Sequence, residues 1–197
     1  MSRRDKGHLR CDTCMMHSQH CVCALVPRLE TRTRLVLVIH RAEARKPTNT
    51  GRLAAACLVN SEVVVRGHET AQAEPLPVPA GSRVLLLFPA PDAVPLAEIA
   101  PELEGPITLV VPDGNWRQAS KVRKRIPGLA EATCVTLPAG EPSRYRLRAE
   151  AHAHGLATLE AIARAMGILE GPAVRAAMEA PFHAMVERTL ATRGVVP

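Results

Sequence analysis

Residues 107–126 read ITLVVPDGNWRQASKVRKRI, and a change of pattern inside them decides the fold. The first six, Ile107 to Pro112, are almost continuously apolar and rich in β-branched side chains, as in a strand covered on both faces. Asp113 and Gly114 then turn the chain, Asn115 can cap a helix, and a helical pattern occupies about 115–126. A buried strand that hands straight over to a helix is half of the strand–helix–strand unit from which parallel sheets are built.

The same alternation extends in both directions. Strands are predicted at about 34–40 (RLVLVIH), 62–66 (EVVVR), 83–88 (RVLLLF) and 132–137 (ATCVTL), and helices at about 50–59, 158–168 and 172–193. The last helix opens on Pro172, stops at Gly194, and contains Pro181, which is expected to kink or split it. The fold class is therefore α/β, a mainly parallel sheet flanked by helices, with ligands expected beyond the carboxyl ends of the strands. The proline-rich run EPLPVPAGS at 74–82 reads as a connection inside the domain.

The chain has 197 residues, 47% of them apolar, enough for a sizeable core, yet only 2% aromatic. The core must be aliphatic, and the one Trp and one Tyr become candidates for something else. Net charge is +6 and uneven: residues 1–52 hold 11 Lys/Arg against 4 Asp/Glu, residues 53–112 hold 2 against 7, and residues 113–197 hold 12 against 8. Two basic regions around an acidic middle suit a face aimed at a polyanion, nucleic acid first among them; a solvated arginine-rich surface explains the same counts. No secretory leader is predicted, and no apolar run approaches the ~18 residues that span a bilayer, so a cytoplasmic protein without a membrane partner is expected.

Six cysteines in a cytoplasmic chain point to metal or core rather than disulfides. Cys11, Cys14, Cys21 and Cys23, spaced C-x2-C-x6-C-x-C, suit a closed tetrahedral zinc site, structural because it leaves no position for substrate. His17 and His20 are possible substitute ligands. Residues 1–28 are read as a zinc-binding module and 29–197 as the second domain, with Cys57 and Cys134 as core thiols. His40 and Glu43 after the first strand lack an accompanying cysteine, so His40 is read as a pocket or core residue.

Asp113 stands at the carboxyl end of its strand, where a small ligand would lie. Capping by Asp113 and anchoring of the helix by Trp116 are the purely structural alternatives. Behind them Arg117, Lys121, Arg123, Lys124 and Arg125 place five cations in nine residues. Arg144, Arg146 and Arg148 alternate, so an extended segment would put them on one face, to grip RNA backbone or, equally, to form a solvated edge.

The DGNW motif resembles the Asp-x-Thr-Trp signature of the DTW-domain family. The cysteine array, PTNTGRLA (47–54), LLLFPAPDA (85–93), DGNWRQASKVRK (113–124), LPAGEPSRYRLR (137–148) and LATLEAIARA (156–165) also follow that family's order and approximate spacing. Asn115 departs from the family's Thr or Ser, a change that keeps the capping ability. The resemblance implies a SPOUT-like sheet, with a carboxyl-terminal knot as one form of it. It further implies transfer of the 3-amino-3-carboxypropyl group of S-adenosylmethionine to N3 of a tRNA uridine. Thr50, Phe88, Pro89, Trp116, Leu137, Tyr145 and Thr158 would then line the cofactor pocket, Asp113 would be the catalytic base, and the cations from Arg117 to Arg125 with Arg144 and Arg146 would meet RNA phosphates. The competing readings are a SPOUT-type RNA methyltransferase and a non-catalytic zinc-ribbon RNA-binding protein.

Overall fold

The computed structural model describes residues 9–67, 74–147 and 155–194. Six strands form one wholly parallel sheet: β1 (Thr33–His40), β2 (Ser61–Arg66), β3 (Arg83–Leu87), β4 (Val94–Pro95), β5 (Ile107–Asp113) and β6 (Thr133–Thr136), in the order β2-β1-β5-β3-β6-β4. The near-continuous apolar runs are the cause, since β1 and β5 are buried along almost their whole length. Seven helices accompany them among the described residues: α1 (Arg41–Ala44), α2 (Gly51–Ala56), α3 (Leu96–Ile99), α4 (Trp116–Ala119), α5 (Val122–Arg125), α6 (Thr158–Glu170) and α7 (Pro172–Thr192).

Successive strand residues face opposite sides, and two aliphatic cores result. Leu35, Leu37, Leu109 and Val111 pack with Leu53 of α2, Ile162 and Met166 of α6, and Phe182 and Met185 of α7. Val36, Val38, Val110 and Cys134 pack on the other face with Val122, Ile126 and Leu129. Cys57 and Cys134 are core thiols, and burial pushes the Cys57 thiol up to about 12. The amino-terminal segment joins the first core through Cys14, Met16 and Val22.

Three expectations change. The basic helix is broken into α4 and α5 at Ser120–Lys121, because Ser120 and Lys121 bond back to Trp116 and Gln118 and close the first turn before the second begins. Pro181 does not split α7, which runs unbroken from Pro172 to Thr192 with the apolar proline ring buried in the core. Residues 144–147 form no strand: Arg146 N–H bonds Arg144 O at 3.0 Å, so a turn replaces the alternating face. Arg148, His68, His152 and His154 lie outside the described residues. The two-residue β4 was too short to register as a pattern.

Candidate functional site

β1 and β5 are neighbours, but the chain leaves them in opposite directions. From β1 it passes through α2, on the first face, to the edge strand β2; from β5 it passes through α4 and α5, on the second face, towards β6. The order reverses there, which opens a crevice at the strands' carboxyl ends. Register sets Ile39 opposite Asp113 and His40 opposite Arg66, so three strands deliver polar side chains to its mouth.

Asp113 is buried, and both its oxygens are engaged. Asn49 Nδ2 donates to Oδ2 at 2.6 Å and Thr158 Oγ1 donates to Oδ1 at 2.7 Å. Gly51 makes the approach possible, since a Cβ there would fall 2.6 Å from Oδ2. Thr50 Oγ1 accepts from Leu159 N at 3.2 Å, and Asn49 Oδ1 accepts from Arg52 N at 3.2 Å. One aspartate thus ties the loop before α2 and the first turn of α6 to the end of β5.

Glu160, two residues on from Thr158 in the same first turn of α6, does the same. Its carboxylate accepts from Ala157 N (2.8 Å), Arg144 N (2.7 Å) and Ser143 Oγ (2.5 Å), while Tyr145, held by the same segment, donates its hydroxyl to Thr48 O at 2.6 Å. The structure therefore brings Thr50, Tyr145 and Thr158 to one loop cluster beside Asp113. Phe88 and Leu137 follow the neighbouring strands β3 and β6, but they pack against opposite cores.

Asn115 caps α4 with a reciprocal box: its Oδ1 accepts from Gln118 N at 3.0 Å, and Gln118 Oε1 accepts from Asn115 N at 2.9 Å. Gln118 Nε2 then meets His40 Nδ1 at 3.0 Å, joining the two diverging loops. Trp116 is no core anchor. It is 57% exposed and rests against Phe88, ring centroids 5.1 Å apart.

Between β2 and α4–α5 lies a cleft of about 530 Å³ whose walls include His40, Arg66, Asp113, Arg117, Lys121 and Arg125. The five cations of the basic stretch separate here. Arg117, Lys121 and Arg125 line the cleft, Lys124 is exposed outside it, and Arg123 is committed elsewhere, with Nη1 2.7 Å from both oxygens of Asp92 and Nη2 donating to Ala132 O. Arg123 holds the Asp92 carboxyl below its ordinary range. Gly67, at φ +96, packs against the His40 ring where no side chain would fit. Arg144 and Arg146 are exposed near the other end of the loop cluster.

The sulfurs of Cys11, Cys14, Cys21 and Cys23 lie within 4.8 Å of one another, with Cys11–Cys23 at 3.4 Å and Cys14–Cys21 at 3.7 Å. A tetrahedron with ~2.3 Å metal–sulfur bonds has edges of about 3.8 Å, so the set can hold a metal ion. The Cys14 N–H draws the Cys11 thiol down to about 6, whereas burial pushes Cys14 and Cys23 up. Four thiolates this close need a cation to coexist. His17 and His20 stand outside the cluster, the former accepting Gln19 N–H.

Asn49, Gln118, Gly51 and Arg66 escaped sequence reasoning. Only Gln118 carried a legible signal, the Asn-x-x-Gln capping box.

These features define an α/β protein with a polar crevice over the switch point of a parallel sheet, joined to a cysteine cluster that could hold a metal ion. The DTW-domain model matches residues 8–190, and the chain belongs to the DTW-domain family. It is similar to tRNA-uridine aminocarboxypropyltransferase 2 of Drosophila melanogaster, 29% identical over 96% of this chain and 76% of the fly protein. The proteins of the same name from Macaca fascicularis (31% identical, 84% of this chain) and Mus musculus (30%, 81%) are also similar, and the chain spans only 58% and 56% of their lengths. No solved structure matches the chain.

Proposed function

We propose that this chain is an S-adenosylmethionine-dependent tRNA-uridine aminocarboxypropyltransferase with a SPOUT-like catalytic domain at 29–197 and a structural zinc module at 1–28. The observation that carries the reading is the Asp113–Trp116 turn of a DTW-family chain, set between a network-bound loop cluster and a cationic cleft. Four sulfurs and no open donor position favour zinc in a structural role. Cytoplasmic residence, where tRNA and reduced thiols are both found, belongs to the same reading.

S-adenosylmethionine, when bound, supplies an electrophilic γ-carbon whose bond to sulfur breaks as N3 of the uridine bonds to it, with methylthioadenosine leaving. The protein's part is position. The loop cluster of Thr50, Tyr145 and Thr158, with Phe88, Pro89, Leu137 and Trp116, would turn that carbon rather than the methyl group toward the acceptor. Trp116 is suited to this because it is exposed beside Phe88 and an indole ring attracts a cation such as a sulfonium. Asp113 lines the cleft with its carboxylate oriented by two donors, and it would receive the N3 proton. Arg117, Lys121 and Arg125, with Arg144 and Arg146 at the far rim, would hold phosphates.

Incubation with S-adenosylmethionine and bulk tRNA, followed by mass spectrometry of nucleosides and small products, tests this. Methylthioadenosine together with aminocarboxypropyluridine is expected. S-adenosylhomocysteine would mean methyl transfer, and neither product would mean binding alone.

A further inference from the structure

A second groove lies away from the crevice. It is about 380 Å³ in volume and runs between the 3-10 turn at Ser18–His20, the outer half of α7 and the loop at Pro47–Thr48. Arg10, Arg188 and Arg193 line it, and among the described residues no carboxylate lines it and none of the three arginines forms an ion pair.

Each of these arginines is nevertheless held in place. Arg10 Nη1 donates to Met15 O at 3.0 Å, Arg193 Nη1 to Leu147 O at 3.1 Å, and Arg188 Nη1 to Cys21 O. A guanidinium has five N–H groups, so one bond to a neutral carbonyl fixes its direction and leaves its charge and most donors to an outside partner. Arginines oriented in advance lose less entropy on meeting phosphate, and their forked donors match its oxygens.

The groove is linked to the candidate active site through one loop. Thr48 lies in its wall and accepts the Tyr145 hydroxyl, while the next residue, Asn49, holds Asp113. The loop at 47–51 therefore lines the three-arginine groove with Pro47 and Thr48 and meets Asp113 with Asn49 and Gly51. We propose that this groove, formed jointly by the cysteine module and α7, binds the phosphodiester backbone of the tRNA at a place remote from the reacting base. The inference rests on tRNA being the substrate. It gives the cysteine module a task in the reaction: presenting Arg10 opposite Arg188 and Arg193.

The test uses the zinc-loaded full chain and bulk tRNA across a salt series, comparing wild type with an Arg10→Glu, Arg193→Glu double variant and a milder Arg10→Gln, Arg193→Gln pair. Arg188 is left alone because it supports Cys21. Zinc content and S-adenosylmethionine affinity should stay at wild-type values, showing that fold and crevice are intact. The tRNA affinity should fall about tenfold or more, and the log–log salt slope should flatten by about one unit per lost contact. The maximal rate at saturating tRNA should be retained. Unchanged affinity and slope in both variants overturn the groove while leaving the proposed activity standing. A wild-type protein that binds tRNA but releases no methylthioadenosine overturns the activity instead, and the salt series then still decides the groove.

Discussion

The cysteine cluster and the carboxyl edge of the sheet both crowd acidic groups into protected places, and they satisfy them by opposite means. At the sheet edge the protein supplies the donors itself: Asn49 and Thr158 for Asp113, and two backbone amides with Ser143 for Glu160. At the cluster, backbone amides reach Cys11 and Cys14, but burial still drives Cys14 and Cys23 toward the neutral thiol. A self-satisfied network can persist in the bare chain, whereas four converging sulfurs can all be thiolates together only around an ion.

The largest effect should come from taking that ion away. Small structural zinc sites carry roughly 10–16 kcal/mol of apparent binding energy, and Cys14→Ser or Cys21→Ser should therefore lose zinc outright. Hydrogen exchange should show α7 deprotected near Arg188 while β1 and β5 stay protected. Full zinc retention in both variants would remove these cysteines as its ligands.

Next in size is Asp113→Asn, expected to lower the rate of transfer by about 10²–10⁴-fold with S-adenosylmethionine affinity nearly kept. The new amide's oxygen can still accept from Asn49, and its nitrogen can donate to the Thr158 hydroxyl, which reverses its role. Turnover at the native rate would show that Asp113 only holds loops together. Glu160→Ala should act on stability instead, costing about 1–3 kcal/mol in denaturant unfolding because three donors lose one acceptor. An unchanged midpoint would mean water replaces the carboxylate at no penalty.

The smallest effect concerns the cations. Lys121→Glu with Arg125→Glu, both in the cleft, should weaken tRNA binding about tenfold and flatten its salt slope by about one unit per lost contact. Arg123→Glu should leave the slope alone, since its partner is Asp92. Equal slopes in all three proteins would remove α5 from the RNA surface.

The parts legible from sequence were those that repeat or keep to short spacings. β1 and β5 announced themselves as unbroken apolar runs, and the four cysteines by lying within 13 residues of chain. Other features depended on distance: Asn49 meets Asp113 across 64 residues and Arg123 meets Asp92 across 31. Nothing local distinguishes Arg123 from Lys121, so charge pattern credited all five cations alike. The break at Ser120 carries no local signal because helix propensity barely changes there.

The bond from Arg188 to Cys21 spans 167 residues. At about 5–20 residues per second, a ribosome places roughly ten to thirty seconds between making the cysteines and making the helix that shelters them. The module thus emerges before the helix it packs on, since Cys14, Met16 and Val22 share an apolar cluster with Met185 and Leu190. Their packing waits for the later segment to be made, and closure over so long a stretch of chain has a correspondingly slow expected rate.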